Sequence, residues 1–350
     1  LAISSYMSAA PLNPSYKSEE YEFYLKDLNP KIVLVEKNSK NPVVDVAKKL
    51  KIELCEINPE KDGPSGIFNI YEKESEYSLP DENDEALVLH TSGTTSRPKI
   101  VPLTNKNIFS SAENISKSLN LSENDHCLNI MPLFHIHGLI AILASSMKAG
   151  SSVCASNGFN AIKFLDIAKS EKITWYSGVP TMHQAILLRA RRNLEFAKVL
   201  KLRLIRSSSA SLPPAVFKDL NDVFSCPVIE AYGMTEATHQ MTSNPLPPKQ
   251  QKAGFVGLPA GPEVCIMNED GEVLKQGDEG EVCIKGENVT LGYDNNEEAN
   301  KTSFTNGWFR TGDQGYFDNE GYLKISGRLK EIINKGGEKI SPLEVCLLYT

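Results

Sequence analysis

Short β-rich runs alternate with helix-like stretches between residues 32 and 233, and this alternation constrains the fold more than any other feature. Each run is six to eight residues long and rich in Val, Ile or Leu. A parallel sheet needs such an order, because the crossover between two parallel strands takes a dozen or more residues. The sequence therefore predicts an α/β fold built on a parallel sheet. The predicted strands are 32–37, 86–92, 126–132, 151–156, 173–180, 202–209 and 226–233, and the predicted helices are 105–119, 161–170, 182–193 and 213–223.

The sequence pattern changes after about residue 250, where turn signals become closely spaced. Asp270-Gly271 separates two apolar stretches, and a second turn follows at Gly277 to Gly280. Such spacing indicates hairpins and predicts a β-barrel-like subdomain over about residues 250–326. The acidic segment 62–84 carries Pro and Gly and predicts an exposed connection.

The composition excludes several classes of function. The net charge of −7 and the absence of basic runs argue against a general nucleic-acid or membrane-surface binder. No apolar run approaches the roughly 18 residues that a membrane span needs. The seven cysteines are scattered and include no C-x-x-C pair, which favours reduced intracellular thiols over a disulfide framework or a zinc site. We therefore expect a cytoplasmic protein that would ordinarily hold two or more domains in its 350 residues.

A hydroxyl- and glycine-rich loop follows the second predicted strand and ends in Pro98-Lys99. Its hydroxyl groups can donate hydrogen bonds to an anion, Gly93 lets the backbone come close, and Lys99 adds a full positive charge. The loop therefore predicts a phosphate site for a nucleoside triphosphate, with a Ser/Thr-rich surface turn as the alternative. It matches neither the P-loop pattern nor G-x-G-x-x-G. The candidate phosphate-binding residues are Thr91, Ser92, Gly93, Thr94, Thr95 and Lys99.

This loop resembles the phosphate-binding signature T-S-G-T-T-G-x-P-K of the adenylate-forming superfamily, which includes acyl-CoA synthetases, peptide-synthetase adenylation domains and luciferases. Ser96 stands where the family usually has glycine, a change that can stiffen the loop but keeps every donor. Five further segments resemble family motifs in the same order. They are MPLFHIHGL (131–139), GVPTM (178–182), EAYGMTEATHQM (230–241), GWFRTGD (307–313) and GRLKEIINKGGEKISPLEV (327–345).

The resemblance implies the adenylate-forming enzyme fold, in which a large N-terminal domain of stacked α/β sheets and a β-barrel-like subdomain precede a small C-terminal α+β domain. The implied boundaries are residues 1–326 for the AMP-binding domain and 327–350 for the hinge and the start of the C-terminal domain. Both ends of the chain resemble the interior of a longer family member, so we expect a fragment. The family's C-terminal lysine, which bridges carboxylate and phosphate, would then lie beyond Thr350, and the fragment should bind ATP weakly and adenylate poorly.

By resemblance, the segment 230–236 binds the nucleotide. The family joins a carboxylate to the α-phosphate of ATP with release of pyrophosphate. The resemblance implies that Tyr232 stacks on the purine, that Thr235 bonds the α-phosphate and that Glu236 ligates Mg²⁺ as a hard oxygen donor. A strand end capped by a Thr/Glu pair is the alternative. The implied AMP-binding residues here are Glu230, Ala231, Tyr232, Gly233 and Thr235, and the implied catalytic residues are Lys99, Thr235 and Glu236.

The last two motifs are implied to serve the ribose, the hinge and CoA. Asp313 and Arg328 match the family's ribose contacts, although a lone Gly-Asp turn is usually only a turn. Lys330 matches the hinge about which the C-terminal domain swings, with a solvated lysine as the alternative. Gly336 and Gly337 match the loop that lines the pantetheine tunnel, and a plain hairpin loop would look the same in isolation.

The implied acid pocket is polar. SSSAS at residues 207–211 places hydroxyls where relatives often read S-G-x-A-P and line a fatty-acid tunnel with small apolar residues. A long apolar acid would leave each polar group unpaired at a cost of about 1 to 3 kcal/mol, which favours a small dicarboxylic acid. SSSAS, EAYGMTEATHQMTSNPLPP and GENVTLGY together are similar to the oxalate-CoA ligases. That likeness implies oxalate, with Ser209 and His239 on the distal carboxylate, His135 at the pocket mouth and His137 in a structural role; a core or gate position is the alternative for each histidine.

Two alternatives to oxalate activation remain open. A malonyl-CoA or other short-chain acyl-CoA synthetase would share every nucleotide motif; an arginine-rich pocket would favour malonate, and Arg206 is the obvious arginine there. A non-catalytic nucleotide-binding homologue is the second, although the intact nucleotide motifs argue against degeneration. The implied ligands are therefore ATP, Mg²⁺ and CoA with a small acid, and neither nucleic acid nor membrane is an expected partner. The sequence leaves open the oligomeric state and a peroxisomal address in a C-terminal tail.

Overall fold

The computed structural model describes residues 2–60, 67–70, 78–91, 98–331, 333–335 and 338–340. By internal contacts the chain divides into two compact units, Leu1–Pro80 and Asp81–Thr350. The boundary at residues 326/327 that the sequence predicts is a different one and stays a prediction. The candidate loop residues 92–95 and the tunnel glycines 336 and 337 lie outside the described residues.

The first unit contains a three-stranded sheet in the order β1-β2-β3. Strands β1 and β2 are parallel and β3 is antiparallel to β2. Alternate residues of the first strand point to a core that the two helices complete. The third strand lies inside the acidic segment 62–84, so the exposed connection predicted there contains a short strand. The elements of this unit are a 3₁₀-helix (Ile3–Ser5), α1 (Ser18–Leu28), β1 (Ile32–Glu36), α2 (Val43–Leu50), β2 (Glu53–Pro59) and β3 (Phe68–Ile70).

The second unit opens with the hairpin that carries the candidate phosphate loop. Strand β4 (Glu85–His90) pairs antiparallel with β5 (Ile100–Thr104), and His90 lies opposite Ile100. The sequence correctly predicts a strand at 86–92 but wrongly counts it among the parallel strands. The connection between β4 and β5 is too short to hold a crossover helix, so β5 pairs directly with β4 in the antiparallel sense.

A seven-stranded sheet forms the centre of this unit, in the order β12-β11-β10-β9-β8-β6-β7. Five neighbouring strands of this sheet are parallel, as predicted: β7, β6, β8, β9 and β10. Strands β11 and β12 extend the sheet in the antiparallel sense. All four residues of β8 and of β9 are buried, which is typical of parallel strands covered on both faces. The strands are β6 (His126–Asn129), β7 (Ser152–Ala155), β8 (Trp175–Gly178), β9 (Leu204–Ser207), β10 (Val228–Met234), β11 (His239–Ser243) and β12 (Leu258–Pro259).

The helices begin at residues suited to helix starts. Thr104 caps the first helix of the unit by accepting a hydrogen bond from the backbone of Asn107, whose side chain bonds back to Thr104 N at 2.9 Å. Pro180 and Pro214 open two others, because proline is preorganised for the first helical position. The helices are α3 (Asn105–Ser118), α4 (Ser145–Lys148), α5 (Phe164–Ser170), α6 (Pro180–Ala190), α7 (Leu194–Lys198), α8 (Pro214–Phe224) and α9 (Glu297–Ser303), with a π-helix (His137–Ala144) and a 3₁₀-helix (Thr235–Ala237).

The predicted barrel-like region is a five-stranded antiparallel sheet in which β17 lies beside β16 and the others follow the order β13-β14-β16-β15. The turn at Asp270-Gly271 is followed by a single bridge, Met267 to Val273, so the paired strand comes later than predicted. No helix among the described residues is long and apolar enough to cross a membrane. The strands are β13 (Glu263–Met267), β14 (Gly280–Lys285), β15 (Phe304–Thr305), β16 (Trp308–Phe317) and β17 (Leu323–Arg328), followed by the pair β18 (Ile333–Lys335) and β19 (Glu338–Ile340).

Candidate active site

A cavity of about 420 Å³ lies between the end of β10 and the strands β16 and β17. Residues that belong to four separate sequence segments share its wall. They include Ser209, Ala231, Tyr232, Gly233, Asp313 and Arg328. The fold therefore brings together the predicted nucleoside, ribose and acid-pocket residues, although as many as 119 residues (from 209 to 328) separate them along the chain.

Asp313 forms the polar centre of this cavity. The β16–β17 register places it opposite Arg328, whose Nε donates to its Oδ1 at 3.1 Å. The hydroxyl of Tyr232 donates to Oδ2. Burial raises the pKa of Asp313, and the bonds from Tyr232 and Arg328 oppose that shift by favouring the carboxylate. A carboxylate held in this way can accept hydrogen bonds from the two hydroxyls of a ribose.

Tyr293 links the two charged residues predicted for the phosphate end of the site. Its hydroxyl donates to Glu236 Oε1 at 2.8 Å, and the Nζ of Lys99 lies 4.2 Å from the centroid of its ring. Burial raises the pKa of Glu236, while Tyr293 and Lys99 oppose that shift. Burial also lowers the pKa of Lys99, and Glu236 opposes this shift whereas Lys330 adds to it. Sequence reasoning missed Tyr293, although it lies in the quoted segment GENVTLGY.

The two ends of the phosphate loop are tied together. Lys99 N donates to Thr91 Oγ1 at 3.0 Å, and Thr91 N donates to Lys99 O at 2.9 Å. Thr235 and Glu236 lie in the 3₁₀-helix that follows β10. Among the described residues no group of three or more His, Cys, Asp or Glu side chains could enclose a metal ion. Glu236 can supply a carboxylate oxygen, and Mg²⁺ is usually held by one or two carboxylates together with substrate phosphates.

A second group of polar side chains lies beside Ser209, around strands β8 and β9 of the seven-stranded sheet. His137 bonds Ser177 Oγ through Nε2 at 2.7 Å and Ser209 Oγ through Nδ1 at 3.0 Å. The rings of His137 and His239 have centroids 5.0 Å apart. Arg206, which has no exposed surface, donates to His239 Nδ1 at 3.5 Å and to Ser177 Oγ at 3.4 Å. We call these five residues the polar cluster.

The polar cluster carries one positive charge at neutral pH. Burial lowers the pKa of His137 and His239 well below the usual range, and the neighbouring Arg206 lowers both further. Burial lowers the pKa of Arg206 to about 9, so its guanidinium stays protonated. Arg206 can only donate, so its contact with Nδ1 of His239 at 3.5 Å favours the tautomer of the neutral ring that carries its proton on Nε2.

The structure brings His137 and His239 together with Ser209 in the polar cluster. The roles expected for these three residues stay predictions. His135 is exposed and lies against Phe134, with ring centroids 4.6 Å apart. Sequence reasoning named Arg206 only in weighing malonate; the structure shows it as the charged residue of β9, a strand whose four residues are all buried.

Two predicted nucleotide residues have structural roles. The buried carboxyl group of Glu230 accepts a hydrogen bond from Leu212 N at 3.0 Å, and burial raises its pKa to about 7. Glu230 therefore holds the loop behind Ser209 in place. At Gly233 a Cβ atom would lie 1.9 Å from the carbonyl oxygen of His239, so this position requires glycine. Lys330 follows β17 in a turn in which Glu331 N donates to Arg328 O at 3.0 Å.

Comparison with known proteins identifies the family of the chain. Residues 3–294 match the family model for AMP-binding enzymes. The chain is 49% identical over 346 residues to an oxalate–CoA ligase of Arabidopsis thaliana, covering 97% of this chain and 67% of that protein. It is 43% identical over 364 residues to an oxalate–CoA ligase of Saccharomyces cerevisiae (strain ATCC 204508 / S288c), covering 96% of this chain and 66% of that protein.

The fold is also similar to that of a solved structure. The crystal structure of ATP-bound MatB from Rhodopseudomonas palustris superposes with a TM-score of 0.84 at 30% identity, covering 96% of this chain and 66% of that one. The chain thus spans about two thirds of the length of these relatives. Its fold is that of the adenylate-forming enzymes, and the chain belongs to the family of AMP-binding enzymes.

Proposed function

We propose that the protein is an AMP-forming acid–thiol ligase that activates oxalate with ATP and transfers it to CoA. The buried charge of Arg206 carries the substrate part of this proposal. Among the described residues no carboxylate pairs with it, and its hydrogen-bond partners are neutral. An unpaired buried charge is costly, so the site favours a ligand that brings an anion to it. The second carboxylate of a small dicarboxylic acid is such an anion, and the similarity to oxalate–CoA ligases points to oxalate.

In the proposed first step, one carboxylate of the acid attacks the α-phosphorus of ATP in line. The new carboxylate–phosphorus bond replaces the bond to the β-phosphate, and pyrophosphate leaves. Lys99 and the donors of its loop neutralise phosphate charge, while Asp313 and Arg328 hold the ribose. Mg²⁺, held by Glu236 and the phosphates, would add further charge neutralisation there. Catalysis then comes mainly from positioning and electrostatic stabilisation.

In the proposed second step, the thiol of CoA attacks the carbonyl carbon of the acyl-adenylate. The carbon–sulfur bond forms, the thiol proton is lost, and AMP leaves with the electron pair of the broken carbon–oxygen bond. Gly336 and Gly337 are the residues we assign to the tunnel that admits CoA, and Lys330 is the residue we assign to the hinge. Tyr232 remains our candidate for stacking on the purine, and Thr235 for binding the α-phosphate.

The polar cluster sets the size and charge of the acid. The Nε2 proton of His239 and the hydroxyl of Ser209 supply neutral donors beside the guanidinium of Arg206, and His135 remains our candidate for the pocket mouth. An alkyl chain in this position would leave these groups without partners. Malonate is the second candidate, because a buried arginine also suits a diacid that is longer by one methylene group.

The complete gene product should release pyrophosphate with oxalate in preference to malonate, acetate and octanoate at equal concentration. We expect His239→Ala to lower kcat/KM for oxalate by about 100-fold, because it removes a hydrogen bond to a charged group. His126→Ala, a half-buried histidine at the start of β6, serves as the matched control and should keep the preference. A preference for malonate would overturn oxalate and keep the diacid, whereas a preference for octanoate would overturn both.

A further inference from the structure

The guanidinium of Arg206 is held by an amide instead of a carboxylate. Its Nη2 donates to Gln240 Oε1 at 3.1 Å, which is the shortest of its hydrogen bonds, and its Nε has no partner among the described residues. Arg206 and Gln240 both have no exposed surface. A buried guanidinium is usually paired with an acidic side chain. The neutral partner is therefore the unusual feature of this site.

The orientation of the Gln240 amide follows from its other contacts. Its Nε2 donates to Ser118 Oγ at 3.0 Å and to the backbone carbonyl of Ala260 at 3.0 Å. A carbonyl oxygen can only accept, so the nitrogen of the amide must face Ala260 and its oxygen must face Arg206. Gln240 also lies in β11 next to His239, opposite Gly233 of β10. The contacts of Gln240 with Ser118 and Ala260, together with its place in β11, thus hold its Oε1 against the guanidinium of Arg206.

We propose that Gln240 is a specificity-determining residue, which positions the guanidinium of Arg206 while leaving its positive charge for the distal carboxylate of the substrate. A carboxylate in the same place would hold Arg206 equally well but would neutralise it within the protein. The acid pocket would then have no need for a second anionic group. This inference rests on the proposed function, since it concerns the acid that the enzyme activates.

The test compares oxalate with oxamate, in which an uncharged amide replaces one carboxylate at nearly the same size. Gln240→Glu in the complete gene product should lower the preference for oxalate over oxamate, as a ratio of kcat/KM values in pyrophosphate release, by about 100-fold. Gln240→Met removes the hydrogen bonds without adding charge. It should lower kcat/KM for both acids and leave their ratio within about threefold of the wild type. Malonate and malonamate replace the pair if malonate is the better acid.

A second variant protects the test against misfolding, because the new carboxylate of Gln240→Glu would face the carbonyl of Ala260. Ser177→Asp brings a carboxylate to the other side of Arg206 from strand β8, and the same loss of preference is expected. Retained AMP binding in calorimetry shows that each variant is folded. If both Gln240→Glu and Ser177→Asp keep the wild-type ratio of kcat/KM for oxalate over oxamate, the role of Gln240 is overturned and the proposed function is not. A wild-type enzyme that uses no diacid contradicts the proposed function and this inference together.

Discussion

At the scale of single residues, Tyr293 connects Glu236 and Lys99, the two groups that we propose face the phosphates. Its hydroxyl donates a hydrogen bond to Glu236, and the ammonium group of Lys99 lies over its ring. A cation over an aromatic ring is stabilised by about 0.5 to 2 kcal/mol, which is weak enough for a phosphate to replace. Tyr293 therefore orients the carboxylate proposed for Mg²⁺ and keeps the lysine close to it.

Two substitutions at Tyr293 should separate these contacts. Tyr293→Phe keeps the ring and loses the bond to Glu236, so the Mg²⁺ concentration needed for half-maximal pyrophosphate release should rise by about tenfold. Tyr293→Leu also removes the ring, so the KM for ATP should rise further. Tyr316→Phe, on β16, is the matched control. Equal effects of Phe and Leu on both measurements would contradict a separate role for the ring.

Residue identities alone predicted the proximity of Asp313 and Arg328 better than the surroundings of Arg206. Asp313 and Arg328 lie in motifs with a recognisable local pattern, and the structure places Arg328 Nε 3.1 Å from Asp313 Oδ1. Arg206 has no such pattern, because a charged residue in a short apolar run can be an edge or a buried position. What defines it is the set of neighbours from β8 and β11, which are distant in sequence.

At the scale of elements, the antiparallel pairing of β10 with β11 joins the two halves of the site. The register shifts between Tyr232, which lies opposite Thr242, and Gly233, which lies opposite Gln240. Tyr232 bonds Asp313 on one side of this shift, and Gln240 contacts Arg206 on the other. Thr238, just before β11, and His239, its first residue, have φ angles of 48° and 95°, the left-handed region that favours glycine. Such backbone strain occurs where the surrounding structure enforces it, often at functional sites.

Gly233→Ala should disrupt this pairing. The new Cβ would lie 1.9 Å from the carbonyl oxygen of His239, so the two strands must separate. We expect a loss of about 3 kcal/mol or more in the free energy of unfolding, measured by urea denaturation. Gly150→Ala is the control, because its site is open and only its φ of 70° is unfavourable. It should cost about 1 kcal/mol, and an equal loss at both positions would refute the close contact.

At the scale of the whole molecule, two buried groups in the second unit respond to pH in opposite directions. Burial raises the pKa of Glu230 to about 7 from an ordinary 4.5, and lowers the pKa of His183 to about 4 from 6.5. Between pH 4.5 and 6.5 the native state therefore binds a proton at Glu230 that the unfolded state lacks. The unfolded state binds one at His183 that the native state lacks. The two contributions to the pH dependence of stability cancel in this window.

Single substitutions should reveal the two slopes. Relative to the wild type, Glu230→Gln should lose about 1.4 kcal/mol in the free energy of unfolding for each pH unit of acidification from 6.5 to 4.5. Its amide oxygen can keep the bond from Leu212. His183→Gln should gain the same amount per pH unit over the same window. Urea denaturation at pH 4.5, 5.5 and 6.5 checks both, and parallel curves for the wild type and either variant would refute the assignment.

The sequence by itself determined the alternation of strands and helices around the parallel sheet, and the family, because each of these leaves a local trace in spacing or in a motif. It also yielded candidate nucleotide residues, which stay predictions, because such residues lie on turns and strand ends whose residue types are constrained by backbone geometry. Only the tertiary structure decided that β4 forms a hairpin, that His137 joins Ser209, and that Arg206 meets His239 and Gln240. Those contacts depend on which strands become neighbours, and strand neighbours come from packing the whole sheet, which no local pattern encodes.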